Sequence, residues 1–149
     1  MAFLSSFDIC ASGMSAQRVR MDVAAENIAN MNATRTESGG TYRRKEVVLE
    51  SYGGSSFQSV LRSVSKGEGY VSSRTGVRVA EIIEDDTELT KVYNPDHPDA
   101  DENGYVNLPN VDALKETVDS MSATRSYEAN VTALNAIKLM AQKALEIGK

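Results

Sequence analysis

Asp99-Ala-Asp101-Glu-Asn103-Gly104 is the densest set of groups in this sequence that could do chemistry. The spacing matches the opening of an EF-hand calcium loop, where alternate oxygens wrap the cation and a glycine makes the sharp turn. Val106 supplies the apolar eighth position. The twelfth position needs a bidentate Glu, but Asn110 stands there behind Pro109, and Pro95 and Pro98 remove the helix that should enter the loop. The segment reads better as an acidic turn with Gly104 at positive φ. A calcium-binding interaction module using the acidic 99–104 loop is the alternative.

The other chemical candidates are weaker. His97 is the only histidine and has no second His, no Cys at metal spacing and no nucleophile context around it. Gly67-Glu-Gly69 lacks the Lys and the following helix of a phosphate loop. Glu84-Asp85-Asp86 lies in a polar run with nothing apolar to raise a carboxyl pKa. Cys10 is the only cysteine, so no intrachain disulfide can form, and it reads as a small helical residue. No catalytic residue, metal site or cofactor is expected, and no small-molecule substrate.

A chain of 149 residues can bury one real core. Its net charge of −5 disfavours nucleic acid, which demands clustered Lys and Arg. Arg43-Arg44-Lys45 is the only basic run, and with Glu46 behind it the reading is the solvated start of a strand. No stretch is apolar enough for a transmembrane helix, and the N-terminus lacks the features of a cleavable secretory signal. The expectation is a cytoplasmic protein, or one exported by a route that reads no such signal.

The elements that must position these residues are dominated by one stretch. Asn110 to Ile147 contains neither Gly nor Pro and predicts a helix roughly 57 Å long. Pro109 and Asn110 mark its start, Asp112 and Glu116 suit the positive end of its dipole, and Gly148 follows as a stop. Val111, Leu114, Val118 and Met121 keep a three–four spacing. Tyr127, Val131, Leu134, Ala141 and Leu145 resume it in a shifted phase, so a slip near Arg125 predicts a local change of facing partner or of supercoil. At the other end of the chain, Leu4, Phe7, Ala11, Met14, Met21, Ala25 and Ile28 form a heptad stripe interrupted at Arg18. Asn27, Asn30 and Asn32 crowd the end of that helix, where short polar side chains can bond freed backbone groups.

Between the helices, Tyr42–Glu50, Gly76–Ile83 and Leu89–Tyr93 read as strands. Residues 51–75 are Ser/Gly-rich loop or weak hairpin, and Asn94–Asn110 is an acidic loop holding all three prolines. The expected fold class is α+β: long N- and C-terminal α-helices paired as a coiled-coil-like layer, with a small β-rich domain inserted. The expected divisions are 1–33, 34–110 and 111–149. Charge follows them, since the helical parts carry −1 and 0 and the insert −4, which suits buried helices and an exposed insert.

Three motifs carry a resemblance. Ser12-Gly-Met-Ser-Ala-Gln-Arg-Val-Arg-Met-Asp-Val-Ala-Ala-Glu-Asn-Ile-Ala-Asn-Met-Asn-Ala-Thr34 resembles the N-terminal signature of bacterial flagellar rod and hook proteins, with Asn27, Asn30 and Thr34 as its polar run. Met121-Ser-Ala-Thr-Arg-Ser-Tyr-Glu-Ala-Asn130 is similar to the matching C-terminal signature, an Arg-x-Tyr-x-x-Asn core. Val92 to Asp112 is similar to the segment that marks proximal-rod members.

The resemblance implies a non-catalytic axial subunit of the basal body. Such subunits polymerise with copies of themselves and other rod proteins into a hollow periplasmic shaft that joins the membrane ring to the distal rod and hook. It also implies a rod-to-membrane-ring adaptor as a partner, and passage through the flagellar type III export gate without a cleavable signal. The residues it assigns to assembly are Leu4, Phe7, Met14, Met21, Asn27, Ile28, Asn30, Arg125, Tyr127, Asn130, Val131 and Leu134. Phe3 and Phe7 resemble the Phe-x-x-x-apolar element proposed for gate recognition.

Overall fold

A computed structural model describes residues 2–37, 39–52, 61, 65 and 76–147. The element order is α1 (Ala2–Ala29), β1 (Lys45–Tyr52), β2 (Gly76–Glu84), β3 (Thr90–Tyr93), β4 (Tyr105–Leu108) and α2 (Ala113–Ile147). The class is α+β, with two helices flanking two small two-stranded sheets. β1 pairs with β2, and β3 pairs antiparallel with β4 in the register Thr90↔Leu108 to Tyr93↔Tyr105. Of the Ser/Gly-rich stretch 51–75, Ser51 and Tyr52 belong to β1, and the rest lies outside the described residues apart from two helical positions, 61 and 65.

Local chemistry sets the helix ends. α1 stops at Ala29 because Asn30 folds its amide back to donate to the Glu26 carbonyl (2.9 Å), a polar cap made from the expected asparagine cluster. α2 starts three residues later than Asn110. Its cap is Asp112, whose Oδ1 accepts from the backbone N–H groups of Leu114 (2.9 Å) and Lys115 (3.5 Å). Freed from capping, Asn110 accepts from Arg44 N–H (2.8 Å) and donates to the Asp85 carbonyl (3.0 Å), stitching the start of β1 to the end of β2.

The chain divides into two compact units. One comprises Met1–Gln17, Leu49–Ala80 and Arg125–Lys149; the other comprises Arg18–Val48 and Glu81–Thr124. In the first, Gly13 lets α1 approach α2 closely: a Cβ there would lie 3.0 Å from Asn130 Nδ2. Ser12 Oγ accepts from Val77 N–H (3.2 Å) in the same unit, and Arg78 pairs with Glu50 across β1 and β2. In the second unit, Arg20 meets Asp119 (2.7 Å), Met21 Sδ accepts from Thr124 Oγ1 (3.3 Å), and Asn27 meets Glu116. Later α1 residues meet earlier α2 residues, so the two stretches run antiparallel.

Which faces turn inward differs from the expected stripes. On α1 the buried positions among the described residues are Ser5, Cys10, Ala16, Val23, Ala24 and Asn27, mostly small. Of the predicted stripe, Phe7, Met14, Met21 and Ile28 are half-buried flanking residues, whereas Ala11 and Ala25 are exposed. A seam that brings backbones close selects small side chains, and small residues are poor markers in a hydrophobicity pattern.

α2 is one uninterrupted helix, the two phases of the stripe are two of its faces, and the division between the two compact units falls at Thr124 and Arg125, beside the slip in the pattern. Glu116, Ala123, Tyr127, Asn130, Leu134 and Ile137 are buried or half-buried on one face. Leu114 (74 % exposed), Val118 (58 %), Met121 (52 %) and Leu139 (60 %) lie on another.

Candidate functional site

The second unit contains a closed polar cluster built from the last turns of α1, the start of β1 and the first turn of α2. Asn27 and Glu116 are the largest fully buried side chains, at 0 % and 1 % exposure. Asn27 uses every hydrogen-bonding position it has. Its Nδ2 donates to the Lys45 carbonyl (2.9 Å) and to Glu116 Oε2 (2.9 Å), and its Oδ1 accepts from Tyr42 OH (2.9 Å) and Lys45 N–H (2.9 Å). The other Glu116 oxygen accepts from Arg44 Nε (2.5 Å). The Arg44 guanidinium also contacts Glu46 and lies 3.6 Å from Asp85 Oδ2.

These residues reach one another because each ends an element. Asn27 faces inward on the last turn but one of α1. Tyr42 and Arg44 alternate with Arg43 as the chain enters β1, so Tyr42 and Arg44 point in and Arg43 stays half-exposed toward Asp86. Burial, with Glu26, Glu116 and Glu84 nearby, pushes the Tyr42 hydroxyl up to about 12, so it remains a donor. Lys45 Nζ sits 5.7 Å from the Tyr42 ring centre and 2.5 Å from Glu26 Oε1. Asp85 is held below the usual carboxylate range by the Thr87 amide and hydroxyl, then by Arg44 and Lys115. Among the described residues no buried side-chain nitrogen or oxygen lacks a hydrogen-bond partner. A cluster this fully satisfied has no group left for proton transfer; it fixes register between elements distant in sequence.

Arg43-Arg44-Lys45 is therefore not simply a solvated strand start, because Arg44 is buried against a carboxylate 72 residues away. The pattern contained little warning, since the partner is non-local. The one usable hint was Glu116, an acidic residue one helical turn past the capping Asp112.

The acidic loop is organised by its own backbone. Asp101 Oδ1 accepts from the N–H groups of Asn103 (2.9 Å) and Tyr105 (2.9 Å), and Gly104 takes φ +78° as expected. Asp99 Oδ2 accepts from Thr34 Oγ1 (2.8 Å), while His97 Nδ1 accepts from the Asp99 N–H (3.1 Å). Tyr93 and Tyr105 close the turn edge to face at 5.4 Å. Among the described residues no three His, Cys, Asp or Glu side chains gather as a metal site.

Two family models match the ends of the chain, which supply Asn27 and Glu116 of this cluster. One, described as flagella basal body rod protein, covers residues 7–35; the other, flagellar basal body rod FlgEFG protein C-terminal, covers 102–147. The flagellar basal-body rod protein FlgC of Bacillus subtilis is 52% identical over 153 aligned positions, spanning 100% of both chains. Its counterpart from Salmonella typhimurium is 41% identical over 149 positions, again spanning both chains, and that of Borreliella burgdorferi 40% over 154. The chain belongs to the FlgC family of flagellar basal-body rod proteins.

Within this FlgC-family chain the residues named from sequence fall into three groups. Asn27 is at the centre of the cluster, and Asn30 caps α1. Phe7, Met14, Met21, Ile28, Tyr127, Asn130, Val131 and Leu134 are half-buried on the helices, and Arg125 is exposed. The side chains of Phe3 and Leu4 lie outside the described ones. The FlgC-family residues that sequence reading missed are Tyr42, Arg44, Asn110 and Glu116.

Proposed function

We propose that this chain is a structural, non-catalytic subunit of the flagellar basal-body proximal rod. It polymerises through its terminal helices with copies of itself and related rod proteins. The product is a hollow periplasmic shaft that carries torque from the membrane ring to the distal rod and hook. Residues 1–33 and 111–149 form the axial core, paired as a coiled-coil-like layer, and the acidic 34–110 insert faces outward. The chain travels through the type III export gate without a cleavable signal, with Phe3 and Phe7 in the recognised element, and meets the rod-to-ring adaptor once in place.

The observation that carries the assembly reading is the second apolar face of α2. Leu114, Val118, Met121 and Leu139 are all more than half exposed on one face of a helix whose opposite face already packs inward. A helix apolar on two sides is satisfied only between neighbours. Family membership supports the same conclusion.

The test is genetic and structural together. Cells lacking the chain should build no rod beyond the membrane ring and should not swim, and a wild-type copy should restore both. Intact, rotating flagella in its absence would refute the reading.

A further inference from the structure

We infer that one copy docks on the next through the outward faces of the two helices, α1 of one lying antiparallel on α2 of its neighbour. Asp22–Arg125 and Arg18–Glu128 set the register. This rests on the rod-subunit reading and adds to it which face meets which.

The outward face of α1 is exposed at every third or fourth residue, including Ala11, Ser15, Arg18, Asp22, Ala25 and Ala29. The outward face of α2 repeats in the same way through Val118, Met121, Arg125, Glu128, Thr132 and Ala136, all exposed. None of the charged four, Arg18, Asp22, Arg125 and Glu128, has an ion partner among the described residues of its own chain. Both faces are therefore solvated stripes of helical period with unspent charge.

Laid antiparallel with Asp22 opposite Arg125, the stripes match throughout. Arg18 falls opposite Glu128, Ala25 and Ala29 opposite Met121 and Val118, Ser15 opposite Thr132, and Ala11 opposite Ala136. Asp8 comes within a turn of Lys143. The small side chains Ala25, Ala29 and Ser15 on α1 meet the larger Met121, Val118 and Thr132 on α2, and Ala11 meets Ala136, which lets the helices approach. No like charges face each other.

Sliding by one heptad puts Asp22 opposite Val118 in one direction and Thr132 in the other, losing both ion pairs. A parallel arrangement cannot make both pairs at once. The contact joins two different surfaces of the same chain, so it does not close on a dimer but continues as a ring or helix, the geometry a tubular shaft needs.

The experiment uses chains in a Cys10→Ala background, one carrying Ser15→Cys and the other Thr132→Cys, co-expressed in a motile host lacking its own copy. Isolated basal bodies are oxidised and the disulfide products are identified by mass. The expected product is a dimer containing one chain of each kind, absent when either variant is expressed alone. In parallel, with Cys10 intact, Asp22→Arg and Arg125→Asp should each abolish swimming, and the two together in one chain should restore it.

If the chain is present in the rods but neither the mixed dimer nor restoration appears, this contact is wrong while the rod reading stands. Absence of the chain from basal bodies sinks both. A disulfide to a different rod protein overturns the choice of a second copy as occupant.

Discussion

Asn27→Asp is the sharpest test of the buried cluster, because it alters two hydrogens and one charge while leaving the shape unchanged. The aspartate keeps the acceptor that serves Tyr42 OH and Lys45 N–H. It loses both donors, so an oxygen then faces the Lys45 carbonyl and Glu116 Oε2 at the present 2.9 Å. Leaving a buried polar group unsatisfied costs about 1–3 kcal/mol, and two are stranded, so the expected loss at neutral pH is roughly 2–6 kcal/mol. Stability of the whole chain is on the order of 5–15 kcal/mol, so the loss would be large.

The pH dependence separates this cause from general damage. Two carboxylates in contact drive one to take up a proton, so the new Asp at 27 has a folded pKa above its unfolded value of about 3.9. The protonated side chain can again donate to Glu116. The stability gap to wild type should therefore be smallest near pH 4 and widen by up to about 1.4 kcal/mol per unit as pH rises toward the raised folded value. Urea unfolding at four pH values between 4 and 8, followed by far-ultraviolet circular dichroism, measures it. A gap below about 0.5 kcal/mol at pH 8, the range of ordinary surface changes, would refute the account, as would a gap that does not shrink in acid.

Four further outcomes are expected. Tyr42 is raised from 10.0 to about 12 in the fold, so its contribution is intact below pH 10 and lost as pH climbs through 12; wild type should lose about 2–3 kcal/mol across that window, and Tyr42→Phe should flatten the loss in alkaline melts. Leu139→Asp, on an exposed face, should leave the melt of the free chain unchanged yet abolish rod assembly, whereas Leu134→Asp, half-buried, should impair both; a swimming Leu134→Asp strain would refute the placement of that seam. Circular dichroism of the free chain should show less helix than the 28 and 35 residues of α1 and α2, because the outward faces are unsatisfied until assembly, and full helicity with one cooperative melt would contradict that. Asp99→Ala with Asp101→Ala should leave motility equally insensitive to added calcium, and calcium should not raise the melting temperature of the parent chain.

The sequence made the helices and three strands legible because they announce themselves locally. Absence of Gly and Pro marks α2, alternation marks β2, and β1 and β3 were placed within three residues of their starts. β4 was not legible. Tyr105-Val-Asn-Leu108 sits between acidic turn residues and Pro109, and it becomes a strand because the Asp101–Gly104 turn folds it back onto β3. The inward helix faces were missed for a different reason. Apolar periodicity finds the largest hydrophobic residues, and in this chain those belong to outward or flanking positions. Asn27 was singled out through its motif, but its four hydrogen bonds go to three residues 15 to 89 positions away, and nothing local encodes such a meeting.

This inversion is the physical clue to how the chain works. Among the described residues the buried apolar ones are Cys10, Ala16, Val23, Ala24, Tyr42, Val106, Pro109 and Ala123, mainly small groups. Small side chains and a satisfied polar cluster set geometry well but supply little burial energy. The large apolar groups that would supply it, at about 1.5–3 kcal/mol for each Leu or Met fully buried, sit exposed on α2. In the proposed rod, a folded state arranged this way would take its register from within the chain and gain stability from neighbours that cover those groups. On that reading such a division would leave the chain pliant before assembly and stiffer after it, because each added neighbour would cover an exposed stripe on the chain beside it.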